Sequence, residues 1–239
     1  MIAAPLAGFF ALKFGDWKIL FLVFGVVSVL SVLWLSMIKI EETRNLEKRA
    51  TFGSSFGLLS SGFIFMMVLG IFLVVGIDVG INAVSGQFLL NKFHSSQTFC
   101  ESGRSVYFFG KMLCTFGGAL MLTMLPSRKF FLLSSILALV SISALIFAPT
   151  GMSAMVIIFI IGLGVANIFP LIFSLSVEKY PVRINEISGL MIMAVSGGAV
   201  IPLLIGSLTD NVGVTAGMFV LVVCAVYELF TALVNLKRV

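Results

Sequence analysis

The sequence predicts an all-α integral membrane protein, and three observations carry that prediction. Of 239 residues, 60% are hydrophobic and 10% charged, with a mean hydropathy of +1.19, a balance foreign to a water-soluble domain. Several apolar stretches reach the roughly 20 residues that a helix needs to cross a hydrocarbon core about 30 Å thick. The runs are continuous rather than alternating. That excludes the strands of a transmembrane barrel, about 10 residues each, and leaves helices, which satisfy their own backbone in lipid.

The first apolar stretch, 2–12, is short, contains Pro5 and lacks the basic start of a signal peptide. It is expected to be the tail of a helix whose beginning is missing. Full spans are then expected at 17–38, 57–90, 105–125, 130–148, 152–177, 187–208 and 214–234. The connections alternate in charge. One set holds Lys39, Arg44, Lys48, Arg49, Arg128, Lys129, Lys179, Arg183, Lys237 and Arg238; the opposite set holds Lys13, Lys18, Lys92 and Arg104. The richer set belongs in the cytoplasm, which places the C-terminus and the connection after Ile38 inside. Trp17 and Trp34 are about 25 Å apart along a helix and suit the two interfaces.

Residues 39–56 form the one long polar segment, mixing Glu41, Glu42, Arg44, Glu47, Lys48 and Arg49 before Gly53, Ser54 and Ser55. Three regions are therefore expected: 1–38 as the remnant of one bundle, 39–56 as a cytoplasmic linker, and 57–239 as a six-helix bundle. Six spans behind a basic linker is the organisation of one half of a carrier built from two bundles.

Ionisable residues inside spans are expensive and by default functional, and Asp78, Lys111 and Glu228 are such residues. Asn82 and Ser85 follow Asp78 at i+4 and i+7, giving a polar stripe. Gly76, Gly80 and Gly86 lie in the same long span, where a bend or unwound turn near Asp78 is expected. In the next span Arg104, Tyr107, Lys111, Thr115 and Gly118 recur at helical spacing, at a depth that permits an Asp78–Lys111 ion pair or shared water cavity. Glu228 shares a face with Cys224, Thr231 and Asn235 nearer the cytoplasmic end, where a structural or water-facing carboxylate is the ordinary reading and a coupling role the alternative. Gln87 and Asn91 carry amides suited to hydroxyl groups. Gly162, Gly164 and Pro170 weaken the helix around Asn167, and Gly197, Gly198 and Pro202 the following one. Interrupted helices opening each triplet of spans, at Gly57 and Met152, point to a substrate site between repeats.

Other chemistry lacks material. Cys100, Cys114 and Cys224 have no CxxC spacing and fit packing rather than metal or redox roles. No cofactor or metal is expected, and the Lys and Arg residues are not clustered for nucleic acid. The single His94 offers little for an enzyme. A structural or assembly subunit remains an alternative.

Residues 162–210, GLGVANIFPLIFSLSVEKYPVRINEISGLMIMAVSGGAVIPLLIGSLTD, resemble the tenth and eleventh helices of the fucose, galactose and hexose:proton symporter family of the major facilitator superfamily. Asn167, Phe169, Pro170, Ile172, Phe173, Ser188, Gly189, Gly197, Gly198, Ala199, Ile201 and Pro202 carry the resemblance. VGIDVGINAVSGQFL is similar to the family's seventh helix, with its acidic residue at Asp78, and YFFGKMLCTFGGALM to its eighth, although Lys111 stands one place before the expected basic residue. The similarity covers 57–234, with two earlier helices as the fifth and sixth. It implies a twelve-helix carrier in a bacterial inner membrane, working by alternating access, with sugar bound near the midplane and a proton, or sodium, as coupling ion. Its principal proton carboxylates lie on early helices not found in this chain. Asp78, Asn82, Gln87 and Asn167 are the expected sugar ligands, and Asp78, Lys111 and Glu228 the expected charge or coupling group. A superfamily carrier of a non-sugar solute is the nearest alternative.

Overall fold

Where the sequence is apolar for a full bilayer thickness, the computed structural model of the chain is helical; it describes residues 19–38 and 52–237. The expectations for 2–12, Trp17, Lys13, Lys18, residues 39–51 and Arg238 lie outside the described residues. Two compact units divide between Arg49 and Ala50.

In the first unit, α1 spans Ile19–Met37. Its polar side chains satisfy themselves locally: the hydroxyls of Ser28, Ser31 and Ser36 donate to the carbonyls of Phe24, Val27 and Leu33. This back-bonding lets serine sit on an apolar helix without an unpaired group.

The second unit opens with a short helix, α2, Phe52–Gly57, and a 3₁₀ turn, Leu58–Ser60. Three uninterrupted helices follow: α3, Gly62–Phe93, α4, Gln97–Met124, and α5, Ser127–Ile146. The next span, Gly151–Lys179, is broken into α6, Gly151–Val165, and α7, Ile168–Lys179. The one after it, Pro181–Val212, is likewise broken into α8, Ile184–Ala194, and α9, Gly197–Val212. The last helix, α10, is Val214–Lys237. Six spans among the described residues of this unit are therefore long and apolar enough to cross a membrane.

Local signals set the helix ends. Thr150 and Ser153 form a reciprocal capping box at the start of α6. His94 ends α3 in the left-handed region, φ 48°, and Lys92 just before it donates to the Ile146 carbonyl at 2.5 Å. That bond joins the end of α3 to the end of α5, satisfying a carbonyl that the helix leaves orphaned.

The core is built around α3, which packs against α9, α10 and α4, while α6 lies between α4 and α5. Small residues permit the closest approaches. A Cβ at Gly76 would strike Ile201, one at Gly80 would strike Ile205 and Leu221, and one at Gly197 would strike the Phe72 carbonyl. Between α4 and α6 the fit is reciprocal, with Gly110 against the Phe159 carbonyl and Gly162 against that of Tyr107.

This use of glycine corrects one expectation. α3 runs as continuous α-helix through Asp78 over 32 residues, without the unwound turn expected there, and Gly76 and Gly80 admit neighbouring side chains. The breaks fall at Ala166–Asn167 and at Val195–Ser196, in the fourth and fifth spans of the unit, where Gly162, Gly164 and Pro170 and then Gly197, Gly198 and Pro202 are expected to weaken the helix. An interruption opening the first triplet at Gly57 is limited to the 3₁₀ turn before α3.

Candidate functional site

Asp78 sits near the middle of α3, and its carboxylate is fully engaged by α4. Lys111 Nζ donates to Oδ2 at 2.6 Å, and the Tyr107 hydroxyl donates to Oδ1 at 2.6 Å. Tyr107 and Lys111 are one helical turn apart, so one face of α4 presents both donors to one acid. The ring of Tyr107 is wholly buried, whereas Asp78 and Lys111 side chains each retain 28% exposure. The pair is therefore closed against the protein on one side and open on the other. A charged pair at this depth is tolerated because each partner removes the other's desolvation cost and the additional hydroxyl fills a remaining lone pair.

The open side is a cavity of about 190 Å³. Val74, Val75 and Asp78 of α3 form one wall and Lys111 another. Val165, Ala166, Phe169 and Pro170, flanking the break between α6 and α7, form the rest. Mostly apolar walls with two converging charged groups are the composition of a small-molecule site.

Asn167 stands at that break. Its amide donates to the Cys114 carbonyl at 2.9 Å and lies 3.3 Å from the Cys114 sulfur, and Gly118 leaves it room. The asparagine at the helix interruption thus bonds α4 rather than capping α7, and ties the break to the helix that carries Lys111. Asn82 is less free than the polar stripe suggests. Its amide donates to the Asp78 carbonyl at 2.8 Å, its buried Oδ1 has no partner, and Arg104 Nε donates to its carbonyl at 2.9 Å. Ser85 is buried with an unpartnered hydroxyl. Gln87 and Asn91 are exposed further along α3, away from the cavity lining.

Asp78 and Lys111 are brought together; Glu228 is not part of their group. It lies against Gly70 and Ile172, 1% exposed. The water-facing reading of this residue is thereby corrected, because the face carrying Cys224, Glu228, Thr231 and Asn235 is turned inward and buried. The part of Tyr107 as second donor to Asp78 was not drawn from sequence, although its i−4 spacing from Lys111 was the available signal. Cys114 as the partner of Asn167 had no such signal.

A family model described as Major Facilitator Superfamily matches residues 1–203. The chain belongs to that superfamily. Among curated relatives, the glucose/galactose transporter of Brucella abortus is 28% identical over 171 residues, covering 71% of this chain and 41% of the relative. A putative glucose/galactose transporter of Helicobacter pylori is 29% identical over 224 residues, covering 90% of this chain and 53% of the relative. The chain thus spans about half the length of the relatives it matches. Its fold is also that of the major facilitator transporter FucP crystallised in the outward conformation, with a TM-score of 0.79 at 14% identity over 91% of this chain and 54% of that one. A crystal structure of a variant of the E. coli fucose:proton symporter FucP gives 0.78 at 15% identity, over 92% and 54%. This major facilitator chain is an integral membrane protein whose named relatives are transporters rather than enzymes.

Proposed function

We propose that the chain supplies the C-terminal bundle of a sugar carrier, taking up a hexose or deoxyhexose by proton-coupled symport. In this reading residues 1–38 belong to the first bundle, 39–56 form the cytoplasmic linker and 57–239 the second bundle. The protein lies in a bacterial inner membrane with its C-terminus in the cytoplasm. The observation that carries the reading is the Asp78–Lys111 pair lining the cavity at the broken span, in a chain whose curated relatives are named glucose/galactose transporters.

A sugar offers several hydroxyls that both donate and accept. A carboxylate and an ammonium already hydrogen-bonded to each other bind such a ligand by exchanging one mutual bond for two to hydroxyls. Asp78 and Lys111 supply that exchange, Asn82 one turn along α3 and Asn167 at the break flank them, Phe169 and the valines take its apolar face, and Gln87, which lies away from the cavity lining, is assigned no contact in it. The two broken spans give the flexible backbone that alternating access requires. The reading takes a proton rather than sodium as the coupling ion, supported by the engagement of both Asp78 oxygens by hydrogen-bond donors.

Counterflow of labelled glucose, galactose and fucose in vesicles containing the complete two-bundle carrier tests the reading. Saturable counterflow of one of them, reduced at least about tenfold (roughly 1.4 kcal/mol) in D78N, is expected. Background counterflow for all three with a folded protein would overturn the sugar assignment. Loss of uphill uptake on removing sodium, but not on collapsing the proton gradient, would overturn the choice of ion.

A further inference from the structure

Besides the Asp78 pair, the bundle contains a second intramembrane carboxylate, Glu228, which no ion pair among the described residues includes. Glu228 is 1% exposed, and neither of its oxygens has a hydrogen-bond partner. The ion pairs among the described residues are Lys111–Asp78 and Arg183–Glu186, and neither includes it. The carboxyl lies where three helices meet. A Cβ at Gly70 of α3 would stand 3.6 and 3.8 Å from its two oxygens and 3.1 Å from Ile172 Cδ1 of α7. A methyl group at Gly70 would thus press on Ile172 and meet the acid at ordinary van der Waals distance.

Nearby polar groups do not neutralise it. The Thr231 hydroxyl, three residues on, is fully buried and also lacks a partner. The Tyr227 hydroxyl instead donates to the Met66 carbonyl at 3.1 Å, and Asn235 donates to the Thr231 carbonyl and approaches the Met67 sulfur. Cys224 is buried on the same face. On the helices packed against α10, the charged side chains sit toward the helix ends or are engaged, and those at the near end, Arg128, Glu178 and Lys179, share a cavity lining with Asn235, which is seven residues or about 10 Å from Glu228 along α10. Asp78 lies eight residues beyond Gly70, about 12 Å along α3, and is held by Lys111 and Tyr107. Lys92 is near the end of α3, and Arg128 and Lys129 begin α5. Asp210 is near the end of α9, and Glu178 and Lys179 close α7.

We propose that Glu228 is a proton-binding site within the C-terminal bundle, carrying a proton while α3, α7 and α10 are packed as here and exchanging it with water when they part at Gly70. An ionised carboxylate at this point would bear the full cost of an unpaired buried charge. Protonation forms one O–H bond on Glu228, takes the proton from a hydronium ion and leaves a water molecule, so the side chain becomes neutral. That O–H is a donor that Thr231, one turn away, can accept once either side chain rotates. Glu228 is about 14 residues from the start of α10 and 9 from its end, roughly 21 and 14 Å along the axis, so the site is well inside the bilayer. As a step in transport the site depends on the symport reading above; as a proton site it does not.

Infrared spectroscopy of the full chain reconstituted in lipid tests this without any sugar. The expected result at neutral pH is a protonated-carboxyl C=O band that disappears in E228Q and shifts on transfer to D₂O. E228D keeps the acid and should show the band at a changed frequency, which decides the matter where E228Q does not fold. No Glu228-dependent band, or one that stays unexchanged in D₂O for a day, would overturn the proposal. A band that appears and exchanges in a protein that moves no sugar would support the proton site and count against the transport reading instead. In a protein that does transport, E228Q is expected to retain counterflow and lose proton-driven accumulation; unchanged accumulation would overturn the coupling step.

Discussion

Lys111 Nζ and Asp78 Oδ2 are 2.6 Å apart across the α3–α4 interface, and the other oxygen of the same carboxylate takes the hydroxyl of a fully buried tyrosine, Tyr107. One acid is thus held by two donors a helical turn apart. Its orientation is determined, and its side chain lines the cavity.

Breaking the pair from either side should cost nearly as much as removing both partners. K111M leaves Asp78 with a single donor, and D78N leaves the Lys111 ammonium without its acceptor. Each is expected to lower stability by about 2 kcal/mol, the worth of a hydrogen bond to a charged group. The D78N/K111M double variant should fall short of the sum by about 1–2 kcal/mol. Y107F, which removes a donor from an acid still paired with Lys111, should cost about 1 kcal/mol. Thermal unfolding of the four variants in detergent measures the cycle. Additive losses would mean that the two side chains do not act as a unit.

Much of this arrangement was legible in the sequence. Continuous apolar runs marked six spans of the second unit to within a few residues at most ends, and the charges at Asp78 and Lys111 were conspicuous against them. The destination of the glycines was not legible. Gly76, Gly80 and Gly197 all serve close packing, against Ile201, Ile205 and the Phe72 carbonyl, yet only the span containing Gly197 is broken, just before it. Which outcome a glycine has depends on the neighbouring helix, and sequence spacing does not contain that neighbour. For the same reason Glu228 could not be placed on a buried face from its own helix alone.

The reciprocal glycine contact between α4 and α6 makes a stability prediction. G162A drives a methyl group into the Tyr107 carbonyl, and G110A drives one into that of Phe159; both obstacles are backbone and cannot rotate away. Each should destabilise by about 1–3 kcal/mol. G117A, on the same helix with nothing within 4 Å, should be neutral or slightly stabilising. Melting temperatures of the three variants check this. A G162A protein as stable as G117A would show that the two helices are not in close contact. Because Gly162 abuts the carbonyl of the residue that binds Asp78, G162A should also impair counterflow.

Asn167 predicts a change in thiol chemistry. Its amide contacts the carbonyl and sulfur of Cys114, whereas Cys100 and Cys224 are buried elsewhere. N167A removes a cross-helix bond worth about 1 kcal/mol, so Cys114 should react with maleimide about five times faster. Cys100 and Cys224 should stay slow and act as internal references. Mass spectrometry of the labelled protein reads all three sites together. Equal acceleration at every cysteine would indicate general loosening rather than release of the α6–α7 break.

The last prediction concerns orientation. Ser96 lies between α3 and α4, and Val182 between α7 and α8, separated by the spans Phe99–Met124, Ser127–Ile146 and Gly151–Lys179. Three crossings place the two positions on opposite sides of the membrane whichever way the protein is inserted. Lys179 and Arg183 flank Val182, and the charge rule assigns that side to the cytoplasm. Both positions are exposed, Val182 at 72%, so each accepts a reporter thiol. In a background with C100A, C114A and C224A, S96C should react with a membrane-impermeant maleimide in intact cells, and V182C should react once the cells are opened. Labelling of both from outside would break the three-span count. Labelling of V182C alone would keep the count and reverse the orientation, which would transfer the connection carrying Lys39, Arg44, Lys48 and Arg49 to the outer face.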